Sequence, residues 1–113
     1  MKPTKPTRWY SDKQEKKVAK AIGGRQTTNS GATDFSKGDV VTEDGWLIEC
    51  KTATSEKQSF SIKREWLKKN REEAFSMGKD YNALVFDFGD NGERYYIVDE
   101  KTFKLMKERL DEG

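Results

Sequence analysis

The chain has 113 residues, of which 37% are charged and only 33% hydrophobic, so it is long enough for one domain with a lean core and too short for two. Its 22 basic and 20 acidic side chains nearly cancel, and the net charge alone therefore does not indicate a nucleic-acid-binding protein. The absence of histidine excludes Ser/His/Asp and Cys/His triads and histidine-ligated zinc sites, which leaves carboxylates, lysines and a hard metal ion for any catalysis.

The chain begins with a basic segment and a helical pattern. Residues 1–10, with two prolines and several basic side chains, predict a flexible basic arm. A helix is expected to begin at Ser11, with Gln14 completing a capping box, and to end at Gly23-Gly24. The helical period places Glu15 within the apolar stripe of this helix, so we expect an inward-facing carboxylate. A shifted helix phase would instead take Glu15 to water.

Two strands joined by a tight turn are predicted within the segment GDVVTEDGWLIECKT. A two-residue loop at Asp44-Gly45 would put Asp39 and Glu49 on opposite faces of the sheet. A three-residue loop that ends at Gly45 in the left-handed conformation would instead pair Asp39 directly with Glu49. Glycine at the third position favours the second arrangement, and strand alternation places Lys51 on the same face as Glu49.

The second half of the chain predicts two helices and a hairpin. A helix over residues 62–77 buries one apolar side, formed by Ile62, Trp66, Leu67, Ala74 and Met77. Its opposite side is a basic stripe with one aromatic ring, formed by Arg64, Lys68, Arg71 and Phe75. The segments ALVFDF and RYYIV predict an antiparallel hairpin. A last helix over residues 99–110 directs three apolar side chains inward, namely Phe103, Met106 and Leu110.

These elements, with a possible short strand at residues 25–28, follow the order helix, three strands, helix, two strands, helix. The order predicts a single domain over residues 11–113 that forms an α/β sandwich, in which helices flank a central mixed five-stranded sheet. We find no internal repeat and no boundary of a second domain in the sequence.

The pairing of Asp39 with Glu49 predicts a metal site. Two carboxylates held side by side repel each other unless a cation lies between them or one of them is protonated. Oxygen ligands favour a hard ion such as Mg²⁺, which takes one or two protein carboxylates and keeps water in its shell. Lys51 could orient or help to deprotonate an attacking water, and Glu15 could hold a metal-bound water from the outer shell. These groups suit metal-assisted hydrolysis of a phosphodiester.

The same residues resemble the signature of a known superfamily. Gly38-Asp39, followed by Glu49-Cys50-Lys51 on an apolar strand, resembles the PD-(D/E)xK nucleases, with glycine at position 38 where that superfamily has a proline. Glu15, Arg25 and Ser30-Gly31 resemble the helix glutamate, the following arginine and the Ser-Gly pair of its archaeal and phage Holliday junction resolvases.

The resemblance covers about residues 11–88 and implies a restriction-endonuclease-like fold. It implies that Asp39, Glu49 and the main-chain carbonyl of Cys50 bind Mg²⁺ or Mn²⁺, and that Lys51 is catalytic. Two further residues would lie near the scissile phosphate, Arg25 and Ser30. The implied activity is that of a metal-dependent DNA endonuclease, most closely a junction-resolving enzyme whose two sites, related by the symmetry of a homodimer, cut two strands of branched DNA.

Other cationic side chains could contact DNA phosphates, namely Lys37, Arg64, Lys68 and Arg71. Each of them also fits a solvated surface. Two alternatives stay open: a restriction or repair nuclease of the same fold, and a catalytically silent DNA-binding module. The presence of Asp39, Glu49 and Lys51 together weighs against the silent module.

Two further features concern the location of the protein. Cys50 is the only cysteine and cannot form an internal disulfide, which fits a reducing compartment. The sequence has no apolar run long enough to span a membrane, and its basic N-terminus lacks the apolar segment of a signal peptide. We therefore expect a cytoplasmic protein, of a prokaryotic cell or a phage-infected host, that does not associate with membranes.

Overall fold

The computed structural model describes residues 7–27, 39–89 and 92–113. The described elements follow the predicted order of helices and strands: α1 (Thr7–Ile22), β1 (Arg25–Gln26), β2 (Asp39–Val41), β3 (Trp46–Lys51), α2 (Arg64–Ser76), β4 (Tyr81–Asp87), β5 (Arg94–Ile97) and α3 (Glu100–Glu112). The predicted α/β class with a mixed five-stranded sheet is confirmed. None of the helices in these ranges is both long and apolar enough to cross a membrane.

The five strands lie in the sheet in chain order, from β1 at one edge to β5 at the other. β3 and β4 are parallel, because α2 connects them as a crossover, and every other neighbouring pair is antiparallel. Side chains alternate between two faces, which we call the α1 face and the α2 face after the helix that covers each. The α1 face carries the larger apolar cluster: Val18, Val40, Ile48, Cys50, Ala83 and Val85. The smaller cluster on the α2 face joins Val41, Leu47 and Ala74.

Helix α1 begins at Thr7, so the prediction that it begins at Ser11 is wrong, and residues 7–10 of the predicted arm are helical. Aromatic contacts stabilise the additional turn: the rings of Trp9 and Tyr10 meet edge to face at 4.9 Å, and Lys13 Nζ lies 4.9 Å from the Trp9 ring. The predicted end at glycine is confirmed, since Gly23 has a φ of 71°.

The apolar stripes of the last two helices are less buried than predicted. On α2, Met77 is 47% exposed, whereas Asn70 is buried and its Oδ1 accepts a hydrogen bond from Asn82 Nδ2 at 2.8 Å. On α3, three side chains were predicted to point inward but are exposed: Phe103 by 59%, Met106 by 47% and Leu110 by 81%. The described sheet offers α3 little surface, because the helix follows the edge strand β5 and buries only Thr102.

Candidate active site

The turn between β2 and β3 determines which side chains face each other across the hairpin. Thr42 N donates to the Trp46 carbonyl at 3.1 Å, and Trp46 N donates to Thr42 Oγ1 at 3.0 Å, so three residues form the loop between them. The last of these, Gly45, has a φ of 102°. This is the predicted three-residue turn, and it places Asp39 directly opposite Glu49.

Asp39, Glu49 and Lys51 share the α2 face, at the end of the sheet away from this turn. Both carboxylates are almost inaccessible to solvent, with Asp39 2% and Glu49 9% exposed. Lys51 Nζ lies 3.1 Å from Glu49 Oε2 and 4.2 Å from the centre of the Trp66 ring. The ammonium group is therefore fixed between a carboxylate and an aromatic face, beside the Asp39–Glu49 pair.

The main-chain carbonyl of Cys50 points to the β2 side of β3, at the end of the hairpin that carries the pair. Carbonyl directions alternate along a strand, and the Trp46 carbonyl is bonded to Thr42 on the β2 side. The carbonyls of Ile48 and Cys50 therefore also point to the β2 side. Because β2 begins at Asp39, opposite Glu49, the Cys50 carbonyl lies at the site end of the hairpin. The Cys50 thiol lies on the other face, where burial and nearby carboxylates raise its pKa.

A carboxylate from α2, Glu73, lies over the site, and sequence reasoning did not find it. Trp66 contacts Lys51, and Ala74 packs with Leu47, so α2 runs along β3 in the opposite direction. Glu73 follows Trp66 by two helical turns and therefore lies on the same side of the helix. That spacing could have revealed Glu73, had the contact between α2 and β3 been known.

The site carries an excess of negative charge. Burial raises the pKa of Asp39 to about 8, and the charges of Glu73, Glu49 and Glu15 add to this shift, while Lys51 opposes it. The pKa of Glu73 is raised by burial and then by Glu49. A bound cation would relieve this repulsion and favour the ionised carboxylates.

Glu15 is buried, as predicted, but on the α1 side of the sheet. Gln26 Nε2 donates to Glu15 Oε1 and to Asp12 Oδ1, each at 3.1 Å, which ties α1 to β1. The charge of Glu15 still raises the pKa of Asp39. Glu15 is thus part of the electrostatic surroundings of the site.

Gln14 is a second residue that sequence reasoning misassigned, since it was predicted to cap a helix. Its side chain is buried, and its Nε2 donates to the Lys51 carbonyl at 2.9 Å and to Asp87 Oδ2 at 3.1 Å. Its Oε1 accepts a hydrogen bond from Thr52 Oγ1 at 2.6 Å. Gln14 therefore fixes the ends of β3 and β4 beside the site. Gln14 lies four residues before Val18, which is buried, and residues at this spacing share one face of a helix. This spacing could have predicted that Gln14 is buried.

The predicted DNA contacts lie in different places. Arg25 is exposed on the edge strand β1, opposite Val41 and two residues from the Asp39–Glu49 pair. Three predicted contacts are exposed along α2, namely Arg64, Lys68 and Arg71. The two remaining contacts, Ser30 and Lys37, lie outside the described residues, as does the neighbouring Gly38.

The donor set fits Mg²⁺ or Mn²⁺, because every group directed at the site is an oxygen ligand apart from Lys51. Within residues 7–27, 39–89 and 92–113, no three His, Cys, Asp or Glu side chains are grouped closely enough to hold an ion. An ion would therefore take the two carboxylates of Asp39 and Glu49, with the Cys50 carbonyl, water and substrate oxygens completing its shell.

Comparisons with family models, with curated proteins and with solved structures found no match for this chain. The assignment of a function therefore depends on the residues of the site and their geometry. The decisive features are the direct opposition of two buried carboxylates and a lysine fixed beside them.

Proposed function

We propose that this protein is a metal-dependent DNA endonuclease of the PD-(D/E)xK type that hydrolyses phosphodiester bonds in branched DNA, as Holliday junction resolvases do. The observation that carries the proposal is the pairing of Asp39 with Glu49 on a buried face, with Lys51 Nζ 3.1 Å from Glu49 Oε2. A charge pair that served only to solubilise the surface would not bury Asp39 to 2% exposure next to other carboxylates.

Asp39, Glu49 and the Cys50 carbonyl would hold Mg²⁺ or Mn²⁺. The expected outer-shell role of Glu15 does not fit its position on the α1 side of the sheet, so Glu15 would act on the site only through its charge. The metal ion, when bound, polarises the phosphodiester and lowers the pKa of an attacking water. Lys51 orients that water and counters the negative charge that develops on the phosphoryl oxygen. Trp66 and Glu49 hold the ammonium group in place, so Lys51 needs little reorganisation during the reaction.

Exposed basic side chains on α2 and β1 support binding of a polyanion to the protein. Arg64, Lys68 and Arg71 follow one another on the outer side of α2, and Arg25 extends from β1 on the α2 face. Contacts of this kind attract the phosphate backbone without reading the base sequence. They suit a nuclease that recognises the shape of its substrate.

A homodimer would account for the exposed apolar side of α3. Phe103 and Leu110 lie two helical turns apart on this helix and are 59% and 81% exposed. A second copy packed on this side would bury them and supply a second active site by two-fold symmetry. Two sites would allow paired cuts in the two strands of a junction.

The proposal is tested by cleavage of a labelled four-way junction and of a linear duplex with the same sequence. With Mg²⁺, we expect cleavage of the junction in preference to the duplex, and no cleavage with EDTA. Asp39→Asn, Glu49→Gln and Lys51→Ala should each slow cleavage by about a hundredfold or more. Asp44→Asn, which removes an exposed carboxylate from the β2–β3 turn at the other end of the hairpin, is the matched control and should cut at the wild-type rate.

The outcomes separate the possible functions. Cleavage unaffected by Asp39→Asn and Glu49→Gln would reject this metal site. Equal cleavage of junction and duplex would reject a junction resolvase and leave a nuclease of broader specificity. Junction binding without cleavage in Mg²⁺ or Mn²⁺ would instead identify a silent DNA-binding module.

A further inference from the structure

Four aromatic rings form a continuous cluster on the α2 face, in addition to Trp66. Three of them stand in a row with similar ring planes: Phe60 and Phe86 are 5.2 Å apart at 31°, and Phe86 and Tyr95 are 5.8 Å apart at 30°. We call these three the aromatic row. Phe88 meets Phe86 and Tyr95 with its ring plane turned by 84° and 67°, and so supports the row from the side.

The aromatic row begins next to the catalytic lysine. Lys51 and Phe86 are partners in the parallel β3–β4 pairing, so their side chains lie side by side on the α2 face. Tyr95 is the partner of Phe86 on β5 and continues the row away from the site. Neighbouring strands are about 4.8 Å apart, so Tyr95 lies about 10 Å from Lys51. A nucleotide next to a phosphate bound at Lys51 could reach Tyr95 over this distance.

The outer end of the row is open to solvent. Tyr95 is 45% exposed and lies on the edge strand, whereas Phe60 and Phe86 are half-buried. A series of near-parallel rings that ends at an exposed ring can be extended by one more planar group. Positive charge lies at the inner end of the row, because Lys51 is the strand partner of Phe86. Lys51 and Lys63 also lie 4.2 Å and 5.8 Å from the centre of the Trp66 ring on α2.

Positive charge beside exposed aromatic rings is the combination by which proteins bind unpaired nucleic-acid strands. The charges attract the phosphates, and the rings stack on bases of any sequence because every base has a π-face. In a continuous duplex the bases stay stacked on each other, so none is free to stack on a protein ring. At a branch point a base can leave the stack. A platform of this kind would favour DNA with an unpaired base near the cut.

We infer that the aromatic row is a stacking platform for an unpaired base of the DNA strand whose phosphate lies at Asp39, Glu49 and Lys51. This inference rests on the proposed function and adds the structural feature of the substrate that the site recognises. Tyr95 supplies the accessible ring face, and Phe60 and Phe86 hold it in position.

The test measures binding of the full chain, in EDTA so that the DNA stays intact, to a four-way junction and to a duplex, both carrying 2-aminopurine. The fluorescent base is placed beside the crossover, because stacking on an aromatic ring quenches its fluorescence. Tyr96 is the matched control residue, since it follows Tyr95, is 41% exposed and lies on the opposite face of the sheet.

We expect Tyr95→Leu to raise the Kd for the junction by about five- to a hundredfold, to abolish the quenching, and to leave the Kd for the duplex unchanged. Tyr95→Trp, which keeps a ring, should retain affinity and quenching, as should Tyr96→Leu. Phe60→Leu, at the inner part of the row, provides a second variant if Tyr95→Leu alters thermal unfolding, and it should also weaken the quenching.

Junction affinity and quenching that are the same in wild type, Tyr95→Leu and Phe60→Leu would overturn the stacking platform and leave the nuclease proposal intact. Equal losses in Tyr95→Leu and Tyr96→Leu would also overturn it, because the effect would then not be specific to the α2 face. A wild-type chain that binds neither junction nor duplex would overturn both the stacking platform and the proposed function.

Discussion

At the residue scale, Asp39 is the buried carboxylate on which the proposed metal site depends. Its carboxyl group is 2% exposed, and burial together with the charges of Glu73, Glu49 and Glu15 raises its pKa to about 8. A buried acid among other carboxylates is destabilising in its ionised form unless a cation lies beside it. In the proposed metal site, the ionised Asp39 would be stabilised by a bound divalent ion.

We predict that the stability of the metal-free protein falls as the pH rises toward 8. The folded protein binds the Asp39 proton more tightly than the unfolded chain does, because the pKa rises from 3.8 to about 8 on folding. The resulting contribution to the free energy of unfolding is fully present below the unfolded pKa and is lost as the pH passes through the folded value. Its upper limit is about 6 kcal/mol, since each unit of pKa difference corresponds to about 1.4 kcal/mol.

Urea denaturation in EDTA at several pH values between 4 and 9 measures this dependence. Asp39→Asn, which cannot ionise, should show a much flatter profile than the wild type and should be the more stable protein near pH 9. Asp44→Asn, in the exposed turn, should follow the wild-type profile. Parallel profiles for wild type and Asp39→Asn would contradict the prediction.

At the scale of the secondary-structure elements, the β2–β3 turn was the most predictable part of the site. Local chemistry determines it: glycine tolerates the left-handed conformation, and the loop length then fixes the strand register. The pairing of Asp39 with Glu49 could therefore be predicted. Contacts between a helix and the sheet could not be predicted in this way. Helix periodicity identifies the apolar side of α2 but does not indicate which strand that side contacts. For this reason Glu73 was missed.

The same limitation explains the errors at the helices. The apolar pattern in α3 predicted burial of Phe103, Met106 and Leu110, but all three are exposed. A periodic apolar stripe indicates that one side of a helix favours an apolar partner surface, and it does not indicate where that surface lies. In α1, a suitable capping pattern at Ser11 was overridden by contacts of Trp9 and Tyr10 in an earlier turn. Propensity is a weak guide where tertiary or aromatic contacts compete with it.

Gly45→Ala tests the role of the turn. A residue with a side chain is strained at a φ of 102°, so we expect a loss of about 1–2 kcal/mol in the free energy of unfolding. Gly92→Ala is the control, because Gly92 is not among the described glycines with positive φ. Urea denaturation at one pH compares the two. Equal effects of both substitutions would show that the turn does not depend on the conformation of Gly45.

At the scale of the whole molecule, the exposed side of α3 predicts self-association. The chain is only 33% hydrophobic, yet Phe103 and Leu110 leave large apolar surfaces exposed on one side of this helix, as an interaction surface does. We expect the wild type to be a dimer in size-exclusion chromatography with light scattering. Combined Phe103→Glu and Leu110→Glu should give a folded monomer, whereas Lys104→Glu on the same helix should remain dimeric. A monomeric wild type would contradict the homodimer.

Direct titration with Mn²⁺, followed by electron paramagnetic resonance, tests without reference to any substrate whether Asp39 and Glu49 form a metal centre. We predict one Mn²⁺ bound per chain at neutral pH, displaced by Mg²⁺. Asp39→Asn or Glu49→Gln should weaken binding by about 10- to 100-fold or more, and Asp44→Asn should not change it. The same Mn²⁺ affinity in the wild type and in both site variants would contradict the proposed metal centre.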